Sequence, residues 1–245
     1  MQSLSNLEII KIYIQKLLGN IFFIIVGNLV LFYFKYIKKY KTRHGKDLRK
    51  MYKEITKKQP VLICPNHITY IDSAILQWIL ADNFFYLLNF SKFAWNIPAK
   101  ENVRKSILFS IIAYLTKCIL IERKGSREHK ELVFKKLKYL LEKKEPICIF
   151  IQGTRSEILE EEQIHYGAGQ LISEIPNTKV LVVYLRGKNQ KEKSVFPKSK
   201  EEFFFNYKIL EPKTDKKGVR AQKEITLLIF RELKKMEDEY FSKYQ

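Results

Sequence analysis

Residues 60–72 read Pro60-Val61-Leu62-Ile63-Cys64-Pro65-Asn66-His67-Ile68-Thr69-Tyr70-Ile71-Asp72. A short apolar run between two prolines predicts a buried strand, and the polar residues after it predict a turn into a helix. That turn carries a histidine and a carboxylate five positions apart. On one continuous helix this offset would set the two side chains about 140° apart, so they would not meet. They meet only if His67 lies on the loop and Asp72 in the first turn of the helix. Thr69 suits the N-cap, and Asp72, three residues on, the capping-box position. The spacing alone reads equally well as a capping Asp72 beside a surface His67.

A second cluster, Gln152-Gly153-Thr154-Arg155-Ser156, follows another apolar run at 147–151. Gly153 lets backbone N–H groups approach an anion, Thr154 and Ser156 offer hydroxyls, and Arg155 can hold phosphate through two N–H donors. A third run, 117–121, is followed by Glu122 and Arg123. Arg123 reads as a further positive charge for the same anion or as a solvated strand-end arginine. Taken together the clusters give an imidazole that an acid can orient, beside a place for phosphate. Such an imidazole can take a proton from a substrate hydroxyl while the oxygen attacks a thioester. Cys64 lies in the buried strand and is a poor candidate nucleophile.

Around these clusters, strand-like runs at 61–64, 84–88, 117–121, 147–151, 180–185 and 203–209 alternate with helical patterns at 71–80, 104–115, 127–141 and 219–240. This alternation predicts an α/β fold, one domain with a central mixed sheet flanked by helices. The polar stretch 188–200 reads as a solvated surface connection. Residues 17–34 are apolar, interrupted by Gly19, Asn20, Gly27 and Asn28, and a basic flank of Lys35, Lys38, Lys39, Lys41, Arg43 and Lys46 follows. The stretch is at the short end for a membrane span, and two asparagines are costly in lipid. A spanning helix, an interfacial helix and a core helix all remain open, with membrane association the expectation. The basic flank places the following domain on the cytoplasmic side. The expected division is therefore a membrane-binding helical region, 1–57, and an α/β domain, 58–245.

Lys and Arg number 45 against 26 acids, a net charge of +19 that fits an anionic partner or a lysine-rich compositional bias. Membrane lipid and an acidic carrier protein are the expected partners. Nucleic acid is not, because the chain shows no stacking or recognition motif and has an apolar N-terminal stretch. Cys64, Cys118 and Cys148 have neither redox nor metal-site spacing and read as buried free thiols.

The blocks 66–72, 122–123, 150–156 and 180–187 resemble, in order, those of the glycerolipid acyltransferases typified by lysophosphatidic acid acyltransferase. The likeness covers roughly residues 58–190. It implies acyl transfer from acyl-carrier protein or acyl-CoA to the free hydroxyl of a lysophospholipid, with no metal or cofactor. It further implies His67 as general base, Asp72 as its orienting acid, and Arg123 and Arg155 as phosphate ligands. Asn66, Gln152, Gly153, Thr154 and Ser156 complete the implied substrate site. Three positions depart from the family pattern: Gln152 replaces a glutamate, Ile151 a proline and Val182 a proline. The lost carboxylate bears on the identity of the acceptor more than on the reaction.

Overall fold

The computed structural model describes residues 4–42 and 46–244. Arg43, counted above in the basic flank, lies outside the described residues. The chain runs α1 (Asn6–Phe32), β1 (Lys41–Thr42), α2 (Lys46–Lys58), β2 (Val61–Pro65), α3 (Asp72–Leu80), α4 (Asn83–Leu88), β3 (Trp95–Asn96) and α5 (Lys100–Val103). It continues with α6 (Ile107–Leu115), α7 (Arg127–Glu142), β4 (Ile147–Cys148), α8 (Gly167–Glu174), β5 (Lys179–Gly187), β6 (Glu202–Leu210) and α9 (Gly218–Tyr244). The strands form one mixed sheet in the order β1-β6-β5-β2-β4-β3. β2 lies parallel to both β4 and β5, and among the described residues only the β5–β6 pair is antiparallel. The α/β class expected from the alternating pattern is what the chain forms.

Strand alternation divides the core in two. Leu62, Cys64, Val180 and Val182 face one side, packed by Leu137, Leu140, Leu171, Ile229 and Leu233 from α7, α8 and α9. Val61, Ile63, Leu181 and Val183 face the other, packed by Tyr52, Ile75, Ile79 and Phe34. Residues on both sides of position 58 thus share this second core. Tyr184, though fully buried, has no hydrogen-bond partner for its hydroxyl among the described residues.

Three of the expected strands differ from what forms. The run at 147–151 pairs as a strand only at Ile147–Cys148. Residues 84–88 are helical, in α4, because Asp82 caps the turn and accepts from the Phe85 amide at 2.8 Å. Lys117 is a turn residue with φ +59°, and residues 118–121 bridge Asn96 and Ala99 at two points at the sheet edge rather than forming a full ladder. The expected helix at 104–115 starts three residues later, as α6 at Ile107, where Ser106 caps it; a separate short helix, α5, precedes it.

Helix α1 continues through one wider π turn to Ile37 and is apolar enough to enter a membrane. It is also bound to the domain near both ends. Ile12 sits in the first core and Phe34 in the second, contacts about 33 Å apart along the axis. Between them, Gln15 Nε2 donates to the carbonyls of Tyr114 and Cys118 at 2.9 and 3.0 Å, satisfying groups at the end of α6. Gly19 brings α1 against the Leu115 carbonyl: an added Cβ would lie 2.6 Å from that oxygen. Lys16 pairs with Glu145 at 2.5 Å. Asn28, costly if bare in lipid, bonds to Asn83 and to the Ile24 carbonyl.

Candidate active site

β2 and β4 are parallel neighbours, so their carboxyl ends open side by side, the position where open α/β sheets bind ligands. The turn after β2 carries His67 and the turn after β4 carries Gly153. Ser156 N donates to the His67 carbonyl at 2.9 Å and locks the two turns together.

Asp72 opens α3 and is buried. Its Oδ2 accepts from His67 Nδ1 at 3.0 Å, from Ile68 N at 2.6 Å and from Thr69 N at 2.8 Å. Its Oδ1 accepts from the Thr69 hydroxyl. The expected N-cap is therefore reversed in part: Ile71 is the cap residue, and Thr69 donates to Asp72 instead of capping the helix. Because the carboxylate claims Nδ1–H, Nε2 is left as the basic nitrogen. The imidazole is fixed from a third side by Phe150, stacked at 4.0 Å between ring centroids.

His67 lines a cleft of about 1790 Å³, together with Tyr70, Arg123, Gly153, Thr154, Arg155 and His165. The Arg155 guanidinium lies 3.7 Å from the Tyr70 ring centroid and donates to the Ser194 carbonyl at 3.3 Å. Arg123 donates to the Gly153 carbonyl. Lys130 and Lys135 add positive charge to the wall, where Arg127 pairs with Glu131, the one carboxylate among the described lining residues. Gly153 has φ +64°, and a Cβ there would meet the His165 ring at 2.6 Å. A side chain at this turn would be strained and would crowd the His165 ring.

The sequence-derived site is therefore only partly a cleft wall. Asn66 is buried and bridges to Leu185, accepting from its N–H at 2.7 Å and donating to its carbonyl at 3.0 Å. Gln152 is buried, its amide 3.5 Å from the Ile158 carbonyl, and the Ser156 hydroxyl donates to that same carbonyl. None of these three residues lines the cleft, and each hydrogen-bonds across a turn beside it. The stretch 188–200 is mostly exposed, as expected, but it is tethered to the site. Ser194 pairs with Thr69, and Tyr70 N donates to the Val195 carbonyl at 3.3 Å. Buried Arg186 braces it, donating to the carbonyls of Glu157, Gln190 and Lys191. His165 was missed because it lies outside the motif blocks; the glycine facing it was the only sequence signal.

Burial pushes the Cys64 and Cys148 thiols far above their ordinary range and the Cys118 thiol up to about 12. None is a nucleophile at neutral pH.

The family model described as Acyltransferase matches residues 44–186, more than half of the chain, and takes in both turns and both arginines. The chain belongs to the Acyltransferase family. No curated protein matches it significantly in sequence. In this acyltransferase, the matched span ends at Arg186, the brace of the loop beside the cleft.

Proposed function

We propose that this chain transfers a fatty acyl group from an acyl-ACP or acyl-CoA thioester to the free hydroxyl of lysophosphatidic acid, giving phosphatidic acid. The observation that carries the reading is the placement of a carboxylate-bound imidazole and two arginines on one cleft wall. The acceptor hydroxyl gives its proton to His67 Nε2 as its oxygen bonds to the thioester carbon. The tetrahedral oxyanion then collapses, the C–S bond breaks, and the leaving sulfur takes the proton back from the imidazolium. Asp72 stabilises that imidazolium without itself being protonated. The Thr154 and Arg155 amides make no hydrogen bond with another described residue, and both residues line the cleft, so they are candidate donors for the oxyanion or the phosphate. Arg155 and Arg123 hold the acceptor's phosphate, with Tyr70 keeping the Arg155 plane in register.

The apolar, domain-docked α1 supports attachment to a membrane surface, and Lys35, Lys38, Lys39 and Lys41 beside it support a cytoplasmic, anionic leaflet. Because α1 returns to the domain at both ends, lying in one leaflet fits better than crossing it. Gln152, where the related enzymes have glutamate, favours a second acceptor class, another anionic lysolipid, within the same chemistry. Purified protein in detergent, assayed for thiol release with both donors across phosphorylated and unphosphorylated lysolipids, tests the proposal. Release that depends on a phosphorylated acceptor supports it; release indifferent to phosphate removes the substrate assignment.

A further inference from the structure

Helix α6 reads Ile-Leu-Phe-Ser-Ile-Ile-Ala-Tyr-Leu and contains no charge. Ile107 is 83% exposed, Leu108 66%, Phe109 52% and Ile111 50%; only Ala113 is buried. Left in water, each large side chain forgoes its favourable burial, and a contiguous patch of this kind marks an interaction surface. What covers it follows from its neighbours. α1 packs directly on α6 through Gly19 and Gln15, and its outward residues Ile21, Ile25 and Leu29 are each more than half exposed. The two helices thus make one continuous apolar face. Arg104 and Lys105, both exposed, stand at the start of α6, as lysines stand at the end of α1. Two such faces brought together in a dimer would bring like charges close, whereas an anionic leaflet attracts them. At nine residues, about 13 Å, α6 is too short to cross a bilayer. Phe22 and Val26 of α1 and Phe109 and Ile112 of α6 line the cleft that reaches His67, so the apolar face runs inward to the catalytic base.

We propose that α6 is a second membrane-seated element, lying in the same leaflet as α1, and that the gap between them admits the acceptor's acyl chain sideways from the leaflet. The admission step rests on the acyl-transfer reading; the seating of α6 does not. Full-length Leu108→Trp protein is mixed with phosphatidylcholine–phosphatidylglycerol vesicles carrying chain-brominated lipid. Quenching above that of the wild type, which has Trp78 and Trp95, and above a Val219→Trp control on α9 supports the seating. Quenching no greater than the control overturns it, as does a concentration-dependent dimer that Leu108→Glu dissolves. For the entry route, Leu108→Glu/Ile111→Glu changes two residues that do not line the cleft. The expected result is a loss of about tenfold, the equivalent of one lost burial, for acceptor held in vesicles, with short-chain acceptor in solution unaffected. Equal loss on both substrates overturns the route. Because quenching needs no turnover, an inactive protein would contradict the acyl-transfer reading while leaving the membrane result intact.

Discussion

His67 Nδ1 stands 3.0 Å from Asp72 Oδ2, an oxygen that also receives the Ile68 and Thr69 amides. One carboxylate therefore builds the turn and orients the base. An asparagine can preserve this geometry, its carbonyl taking the Oδ2 position and its NH₂ donating to Thr69 Oγ1. Asp72→Asn then removes charge without removing shape. We expect kcat to fall on the order of 10²–10⁴-fold with KM little changed. Steady-state kinetics on a variant that keeps its thermal midpoint makes the measurement.

Gly153 and His165 form a second pair. Gly153→Ala adds left-handed strain, about 1–3 kcal/mol, and a contact at 2.6 Å with the His165 ring. Acceptor KM should rise. Gly153→Ala/His165→Ala should recover part of that loss, because the steric component vanishes while the backbone strain stays. A double-mutant cycle showing strict additivity would mean that the ring and the turn do not touch.

Arg155 is both stacked on Tyr70 and hydrogen-bonded to Ser194. Lysine keeps the charge but cannot stack or fork. Arg155→Lys should raise KM for phosphorylated acceptors by about tenfold, roughly 1.4 kcal/mol. It should leave unphosphorylated acceptors unchanged. Parallel kinetics on a matched pair of acceptors separates the two cases.

Lys117 is fully buried; burial lowers its pKa to about 8, with Glu145 at 3.1 Å pulling the other way. Glu145 also accepts from Trp95 Nε1 at 2.7 Å and holds Lys16 of α1. Glu145→Gln should cost about 3–5 kcal/mol, more than Lys117→Met/Glu145→Gln together, since it strands a buried cation. The pH dependence has a definite sign. Native Lys117 binds fewer protons than the unfolded chain between pH about 8 and its ordinary 10.5, so this residue makes stability rise across that window. Chemical denaturation of wild type and Lys117→Met from pH 7 to 10 should show their difference growing with pH.

The readable parts of the sequence were those whose signal is local. Strand β2 and the 180–185 core of β5 are runs of apolar residues buried on both faces, and α7 and α9 show helical periodicity, so all were placed within a few residues. Residues 84–88 misled because Phe-Phe-Tyr-Leu-Leu satisfies either period, and the deciding Asp82 cap was two positions outside the run. In the site, the meeting of His67 and Asp72 was legible from the loop-then-helix pattern. The supporting roles of Asn66, Gln152 and Arg186 were not, because each depends on carbonyls or amides that only the folded sheet brings near. Asn66 and Leu185 are 119 residues apart. The docking of α1 is of the same kind, since Gln15 meets Tyr114 across 99 residues.

The most direct test of the central claim is acceptor-dependent thiol release by wild type and His67→Ala, each first shown to have the same unfolding midpoint. The structure leads us to expect a loss of at least about 10²-fold in kcat for His67→Ala, the usual contribution of a general base. Retention of more than a tenth of the wild-type rate by a folded His67→Ala protein would contradict the assignment of His67 as the base.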